Sequence, residues 1–153
     1  YALAVATQVL GGGWSSRLFQ EVREKRGLSY SVFASVGSFA DCGTMSVYAA
    51  TAPERLDELR TVIDAQLHDL ATNGPGQREL DVARGGFEGA TVLGLEDTGS
   101  RMARLATNVL FRDRVVGVDE YLDAVREVTA ADVQRVLAEV LDGALAVSIV
   151  GPG

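Results

Sequence analysis

Residues 15–37, SSRLFQEVREKRGLSYSVFASVG, predict a helix that ends at a glycine and leads directly into a strand. The apolar side chains recur at the spacing of one helix face, at Leu18, Phe19 and Val22. Three cations fill the last predicted turn, where the free carbonyl groups of a helix favour positive charge. Gly27 then supplies the left-handed residue that commonly ends a helix. The rest of the chain is organised around this junction.

The strand after Gly27 is predicted by a change of period. Residues 28–37 alternate with a period of two, which places Leu28, Tyr30 and Val32 on one apolar face. The change of period leaves Arg23 at the end of the helix and Tyr30 near the start of the strand, seven residues further on. We therefore expect these two side chains to face the same space.

The remaining sequence predicts an α+β domain, with a mostly antiparallel sheet and helices packed on one side. Residues 1–10 are typical of a buried helix, and we interpret the glycines at 11–13 as a flexible connection. A strand over residues 44–50 should pair antiparallel with the first strand through a turn at 37–43. Helical periodicity predicts further helices that begin near residues 53, 77, 101, 119 and 129.

Several finer signals accompany these elements. Thr51 with Glu54, and Thr129 with Asp132, have the spacing of capping boxes at helix starts. Three glycines of the helix that begins near residue 77 predict close approach of a neighbouring element. The final run, residues 144–151, is continuously apolar, as in a strand that is buried on both faces.

Composition narrows the classes of function. A length of 153 residues predicts one domain, and 47% apolar residues exclude a disordered chain. The 14 basic and 21 acidic residues give a net charge of -7, which argues against binding to nucleic acid. Cys42 is the only cysteine, which suits a reducing compartment. The apolar start is too short to span a membrane. We expect a soluble cytoplasmic protein without membrane association, and a piece of a longer polypeptide.

Residues 9–32, VLGGGWSSRLFQEVREKRGLSYSV, resemble the C-terminal domain of the pitrilysin-like zinc metallopeptidases, which include insulin-degrading enzyme and the mitochondrial processing peptidases. The likeness is to the short bacterial members and extends more weakly over nearly the whole chain. It implies a processing-peptidase/LuxS-like metallohydrolase fold, with 1–153 as a single C-terminal-type domain that lacks the first strand of that fold. A glycine-rich loop that contacts substrate is also implied.

The resemblance also implies where the chemistry lies. The zinc of the family is held by an H-x-x-E-H helix in another domain. His68 is the only histidine here, so we expect this chain to bind no zinc and to be inactive alone. Arg23 and Tyr30 match an arginine and a tyrosine that the family brings to the active site. The resemblance thus assigns them as catalytic residues, with the Tyr30 hydroxyl donating to the substrate oxyanion and Arg23 anchoring the peptide backbone.

The residues by themselves leave other interpretations open. A cation at a helix end and an aromatic residue at a strand edge explain Arg23 and Tyr30 without any catalytic role. For the parent protein, the resemblance implies a peptide substrate, a zinc-binding N-terminal domain on the same or a partner chain, and a homo- or heterodimer. The alternative function is a non-catalytic scaffold or core-type subunit that shares the fold, and a third is a plain interaction module with an exposed apolar edge.

Overall fold

The computed structural model describes residues 1–39, 41–143 and 145–151. Its α-helices are α1 (Ala2–Gly11), α2 (Leu56–Asn73), α3 (Gln77–Gly94), α4 (Thr98–Arg112), α5 (Val118–Arg126) and α6 (Ala130–Leu141). The strands are β1 (Val32–Ser38) and β2 (Gly43–Ala49), and Phe19–Glu24 forms a π-helix. A short 3-10 turn, Pro53–Arg55, precedes α2. The predicted order of elements is confirmed from α1 to α6.

The two strands pair antiparallel from Val32 opposite Ala49 to Ser38 opposite Gly43. Alternation along this ladder gives an inner face, on which Val32, Ala34, Met45, Val47 and Ala49 pack against the core. Val36 lies on the same face near the turn and is exposed. The outer face is formed by Phe33, Ser35, Gly37, Thr44, Ser46 and Tyr48. Helices therefore cover one side of an antiparallel sheet, and the predicted α+β fold is confirmed.

The core lies between α1, the π-helix, α2, α3 and α6. Its fully buried leucines come from α1, α2 and α6 and from the residue that precedes the π-helix: Leu10, Leu70, Leu137 and Leu18. Helix α6 begins at the predicted capping box, in which the Asp132 amide donates to Thr129 Oγ1 and the Thr129 amide donates to Asp132 Oδ2. These reciprocal bonds satisfy amide groups that a helix start would otherwise leave free.

The capping box predicted at Thr51 and Glu54 is wrong. The residue that precedes the 3-10 turn is Ala52, which has no side-chain cap. The Thr51 hydroxyl instead donates to the carbonyl oxygen of Leu28 at 2.6 Å, because the chain after Gly27 presents that acceptor beside it. Thr51 thus joins the start of α2 to the junction that precedes β1.

The glycines of residues 11–13 are not simply a flexible connection, because Gly11 is a close packing site. A Cβ on Gly11 would lie 2.4 Å from the backbone nitrogen of Ala34 and 2.9 Å from its Cβ. Only a residue without a side chain lets α1 approach β1 this closely. Gly13 differs, since a Cβ there would have nothing within 4 Å.

The glycines of α3 behave only partly as predicted. Among them, Gly86 is approached by the Gln8 side chain, whose Nε2 would lie 2.9 Å from an added Cβ. Gly85 and Gly89 have open space at that position. Helix α4 also begins earlier than predicted, because Asp97 caps it by accepting a hydrogen bond from the Ser100 amide.

The buried strand predicted at residues 144–151 is wrong for the residues that the structure describes, and Ala144 lies outside them. Residues 145–150 have no regular structure, and their large apolar side chains are exposed. A strand that is buried on both faces needs neighbouring strands and covering helices. In the described part of the chain, β1 and β2 are the strands that pair, and they do not provide that setting.

Candidate functional site

The predicted helix of residues 15–26 is shorter and wider than expected. Helical turns run over 17–24, and Phe19–Glu24 is wound as a π-helix, with the Lys25 amide bonded to the Gln20 carbonyl five residues back. Single π-turns occur often at functional sites. Gly27, at φ 55°, ends the segment as predicted. The Leu28 amide then donates to the Val22 carbonyl at 2.8 Å, which turns the chain back along the helix.

This reversal brings Arg23 and Tyr30 together. The guanidinium carbon of Arg23 lies 4.2 Å from the centroid of the Tyr30 ring, and Nη1 donates to the Tyr30 carbonyl oxygen at 3.3 Å. The same guanidinium lies 4.8 Å from the centroid of the Phe19 ring. A cation over an aromatic face is held by the negative charge of the ring face. The expected juxtaposition of the two side chains is therefore present in the structure.

The predicted orientation of Tyr30 is wrong. Leu28 and Val32 are buried as expected, but Tyr30 is 82% exposed instead of sharing their apolar face. The reason is a bend between them, in which the Ser29 hydroxyl donates to the Ser31 carbonyl at 2.7 Å. Such local side-chain bonds compete with a strand ladder. Regular pairing begins only at Val32, and the Tyr30 side chain projects into solvent.

A largely buried cation supports the helix that carries Arg23. The Arg17 guanidinium donates to both carboxylate oxygens of Glu79, at 2.6 and 2.9 Å, to Asp69 at 2.6 Å and to the Gly74 carbonyl at 3.2 Å. Its side chain is only 14% exposed. The hydrogen bond from Arg17 holds the pKa of Glu79 below its usual range, against the desolvation that opposes it. The network ties the ends of α2 and α3 to the helical segment at 17–24.

Sequence reasoning missed this network because its partners are far apart in the chain. Glu21, on the same helical segment, does not pair with Arg17 but with Lys25 and Arg26. Hydrogen bonds from these two cations lower the pKa of the Glu21 carboxyl, that from Lys25 most. Glu79 lies in the first turn of α3 and also accepts a hydrogen bond from the Gly76 amide at 2.8 Å.

With this geometry in place, comparison with known proteins identifies the family. Residues 1–87, more than half of the chain, match the family described as peptidase M16 inactive domain. The chain belongs to the M16 peptidase family. The matched region contains α1, the π-helix, both strands and the Arg23–Tyr30 contact. The resemblance stated from the sequence is thereby confirmed.

Relatives of this M16 domain carry names that refer to zinc proteolysis. An uncharacterized zinc protease of Streptomyces coelicolor is 42% identical over 152 residues, which is 99% of this chain and 33% of the relative. An uncharacterized zinc protease of Bacillus subtilis is 37% identical over 136 residues, 89% of this chain and 32% of the relative. The chain thus spans about a third of the length of these curated relatives.

Solved structures show the same fold. A peptidase M16 inactive domain from Pseudomonas fluorescens aligns with a TM-score of 0.81 at 24% identity, covering 90% of this chain and 33% of that one. A protease from Helicobacter pylori aligns with a TM-score of 0.77 at 24% identity, with 90% and 33% coverage. The architecture of this M16 domain, an antiparallel sheet with helices on one side, is therefore that of its structural neighbours.

The residues of this M16 domain do not fit the zinc site of the peptidase family. Two histidines are needed for H-x-x-E-H, and the sequence contains one. His68 is exposed on α2, with Nδ1 2.8 Å from the Asp64 carbonyl oxygen. Within residues 1–39, 41–143 and 145–151, no three His, Cys, Asp or Glu side chains cluster as metal ligands.

None of the helices in these ranges has both the length and the apolar character needed to cross a bilayer.

Proposed function

We propose that this chain is the non-zinc-binding C-terminal domain of a zinc endopeptidase that hydrolyses peptides, and that Arg23 and Tyr30 bind the substrate. The family supports the first part, because this domain type is described as inactive and its relatives are named zinc proteases. The observation that carries the second part is the contact between Arg23 and an exposed Tyr30 at a π-helical turn.

Tyr30 has the chemistry of an oxyanion donor. Attack of an activated water on a peptide carbonyl builds negative charge on the carbonyl oxygen, and a fixed hydrogen-bond donor stabilises that charge. The 82% exposure of Tyr30 leaves its hydroxyl accessible to a peptide that lies over this surface. The ring is at the same time held by the Arg23 guanidinium, which limits the positions that the hydroxyl takes.

Arg23 has the chemistry of a backbone anchor. Its planar guanidinium stays protonated and offers five N–H donors, of which one is used by the Tyr30 carbonyl. The Phe19 and Tyr30 rings contact the guanidinium, and its Nε lies 3.8 Å from Glu24 Oε1. A third of the side chain remains exposed. The free donors serve, in our proposal, to bind carbonyl oxygens of an extended peptide.

The activated water and the metal belong, in this proposal, to another domain of the same or a partner chain. A homo- or heterodimer of the parent protein is part of the same proposal, since an Arg/Tyr pair alone binds a carbonyl but activates no water. The isolated chain is then inactive, whereas the full-length protein cleaves peptides and loses this activity when a chelator removes the metal.

The test is substitution of the pair in the full-length protein. Tyr30→Phe removes only the hydroxyl, and we expect kcat to fall about 10²- to 10³-fold with a small change in KM. Arg23→Lys keeps the positive charge but loses the planar set of guanidinium N–H donors, so we expect mainly a rise in KM. Tyr121→Phe removes a phenol hydroxyl from α5 and serves as the matched control with unchanged kinetics. Hydrolysis of a quenched fluorescent peptide provides the measurement.

Two results would contradict the proposal. Equal kcat/KM for Tyr30→Phe and the unsubstituted protein would exclude the hydroxyl from the reaction. Chelator-resistant hydrolysis would exclude the metal from the reaction, and no hydrolysis by a correctly folded full-length protein would favour the alternative of a scaffold or core-type subunit.

A further inference from the structure

The outer face of the sheet carries an exposed aromatic pair close to Tyr30. Phe33 and Tyr48 lie opposite each other in the ladder, and their rings stack with centroids 5.1 Å apart and planes inclined by 26°. The two side chains are 45% and 52% exposed. A stacked cross-strand pair stabilises a sheet by itself. Both residues nevertheless remain accessible to a further group.

The chemistry around this pair favours an uncharged ligand. All six outer-face residues of the ladder are uncharged, and the pair is followed along the strands by Ser35 opposite Ser46. The aromatic faces offer contact area to an apolar side chain. The adjacent hydroxyl groups can each donate or accept a hydrogen bond, which suits the peptide groups of an extended chain.

The position of the pair ties it to the proposed substrate site. Tyr30 precedes Phe33 by three residues, so chain geometry limits their Cα separation to about 11 Å. The Ala50 amide donates to the Ser31 carbonyl at 3.2 Å, which continues the pairing of the strands toward Tyr30. An extended peptide advances about 3.3 Å per residue. A peptide whose carbonyl is bound at Tyr30 therefore reaches the aromatic pair within about three residues.

We propose that Phe33 and Tyr48 form a specificity subsite that takes an aromatic or branched aliphatic side chain of the peptide substrate. The subsite rests on the proposed function in that Tyr30 binds the carbonyl of the same peptide. It discriminates against charged side chains, because a charge placed on the apolar rings loses hydration and meets no opposite charge among the six outer-face residues.

The experiment uses the full-length protein and quenched fluorescent peptides that differ at a single position, occupied by Phe, Ala or Asp and placed within about three residues of the cleaved bond. One such position should favour Phe over Asp in kcat/KM. Phe33→Ala should lower this Phe/Asp ratio about 3- to 10-fold, as expected for the loss of one aromatic contact.

Further variants test whether the preference for Phe depends on the two aromatic rings of the pair. Tyr48→Phe retains the ring and should retain the ratio, whereas Tyr48→Thr removes the ring, keeps a residue that suits strands, and should lower the ratio. Phe111→Ala removes the same side chain from the exposed face of α4 and should leave the ratio unchanged. A Phe/Asp ratio that survives in both Phe33→Ala and Tyr48→Thr would overturn the subsite.

Equilibrium binding of the same peptides after metal chelation separates the two proposals. One outcome is that the Phe peptide binds more tightly than the Asp peptide, that Phe33→Ala removes this difference, and that the metal-loaded protein cleaves neither peptide. This outcome would support the subsite and refute the peptidase. Cleavage with a ratio that Phe33→Ala leaves unchanged would support the peptidase and overturn the subsite. Equal binding and equal cleavage of the Phe and Asp peptides would also overturn it.

Discussion

Replacement of Arg17 by methionine should cost this domain a large part of its stability. Methionine keeps an unbranched apolar side chain at the site but removes all four guanidinium hydrogen bonds. The Arg17 side chain is 14% exposed, so water replaces the lost donors only partly. The carboxylate of Glu79, at the start of α3, then keeps its charge without its main partner and retains the hydrogen bond from the Gly76 amide.

The magnitude follows from the burial of each partner. Glu79 is about one-third exposed and accepts two of the four bonds, whereas Asp69 is half exposed and contributes little. Charge-assisted hydrogen bonds contribute about 1.5–3 kcal/mol, and a broken buried pair costs about 3–5 kcal/mol. For this partly buried pair we expect Arg17→Met to lower the free energy of unfolding by about 2–4 kcal/mol.

The pH dependence of the free energy of unfolding provides a second test of the Arg17–Glu79 pair. The folded pKa of Glu79 lies below its usual value of 4.5, mainly because Arg17 donates hydrogen bonds to it. Its stabilisation is therefore complete above pH 4.5 and is lost as the pH falls from there through the folded pKa. Arg17→Met lacks this stabilisation, so the difference in free energy of unfolding between the variant and the unsubstituted protein should shrink in acid.

Urea unfolding followed by circular dichroism, at neutral pH and through the acid range, measures both effects. Arg135→Met is the matched control, because Arg135 pairs with Asp132 and Glu139 on the exposed face of α6 and should change stability by less than about 0.5 kcal/mol. A loss below about 1 kcal/mol for Arg17→Met, or a difference that widens as the pH falls, would refute the reasoning.

Two further predictions concern packing and capping. Gly11→Ala should lower the free energy of unfolding by about 1–3 kcal/mol, because its Cβ would overlap the backbone of Ala34. Gly13→Ala is the control: its Cβ meets nothing within 4 Å, so it should be neutral or stabilising in the same urea assay. Thr129→Ala should cost about 1 kcal/mol by removing the oxygen that accepts from the Asp132 amide. Equal stabilities for the two glycine variants would show that α1 moves away from β1 freely, and a stable Thr129→Ala variant would show that water replaces the cap.

Much of the fold could be predicted because its signals are local. The periodicity of α2 and the capping box of α6 predicted those helices, and a glycine at each end of the hairpin predicted the turn between β1 and β2. The approach of Arg23 to Tyr30 was also predictable, since a helix, a left-handed glycine and a short return segment leave the two side chains little freedom. Each of these features depends on residues fewer than about a dozen positions apart.

What the sequence by itself determined is thus the order of elements from α1 to α6 and the Arg23–Tyr30 contact, because hydrogen bonds and turns between near neighbours depend on local residue types. Only the tertiary structure decided that Tyr30 projects into solvent, that Arg17 binds Glu79, and that Gly11 lies against β1. The last two outcomes depend on which distant groups meet, since Arg17 and Glu79, and Gly11 and Ala34, are far apart in the sequence. The first depends on the bond from Ser29 to the Ser31 carbonyl, which competes with the strand pattern. A residue pattern along the chain identifies the buried face of a single element. It does not identify the residues of another element that pack against that face, which only the folded structure shows.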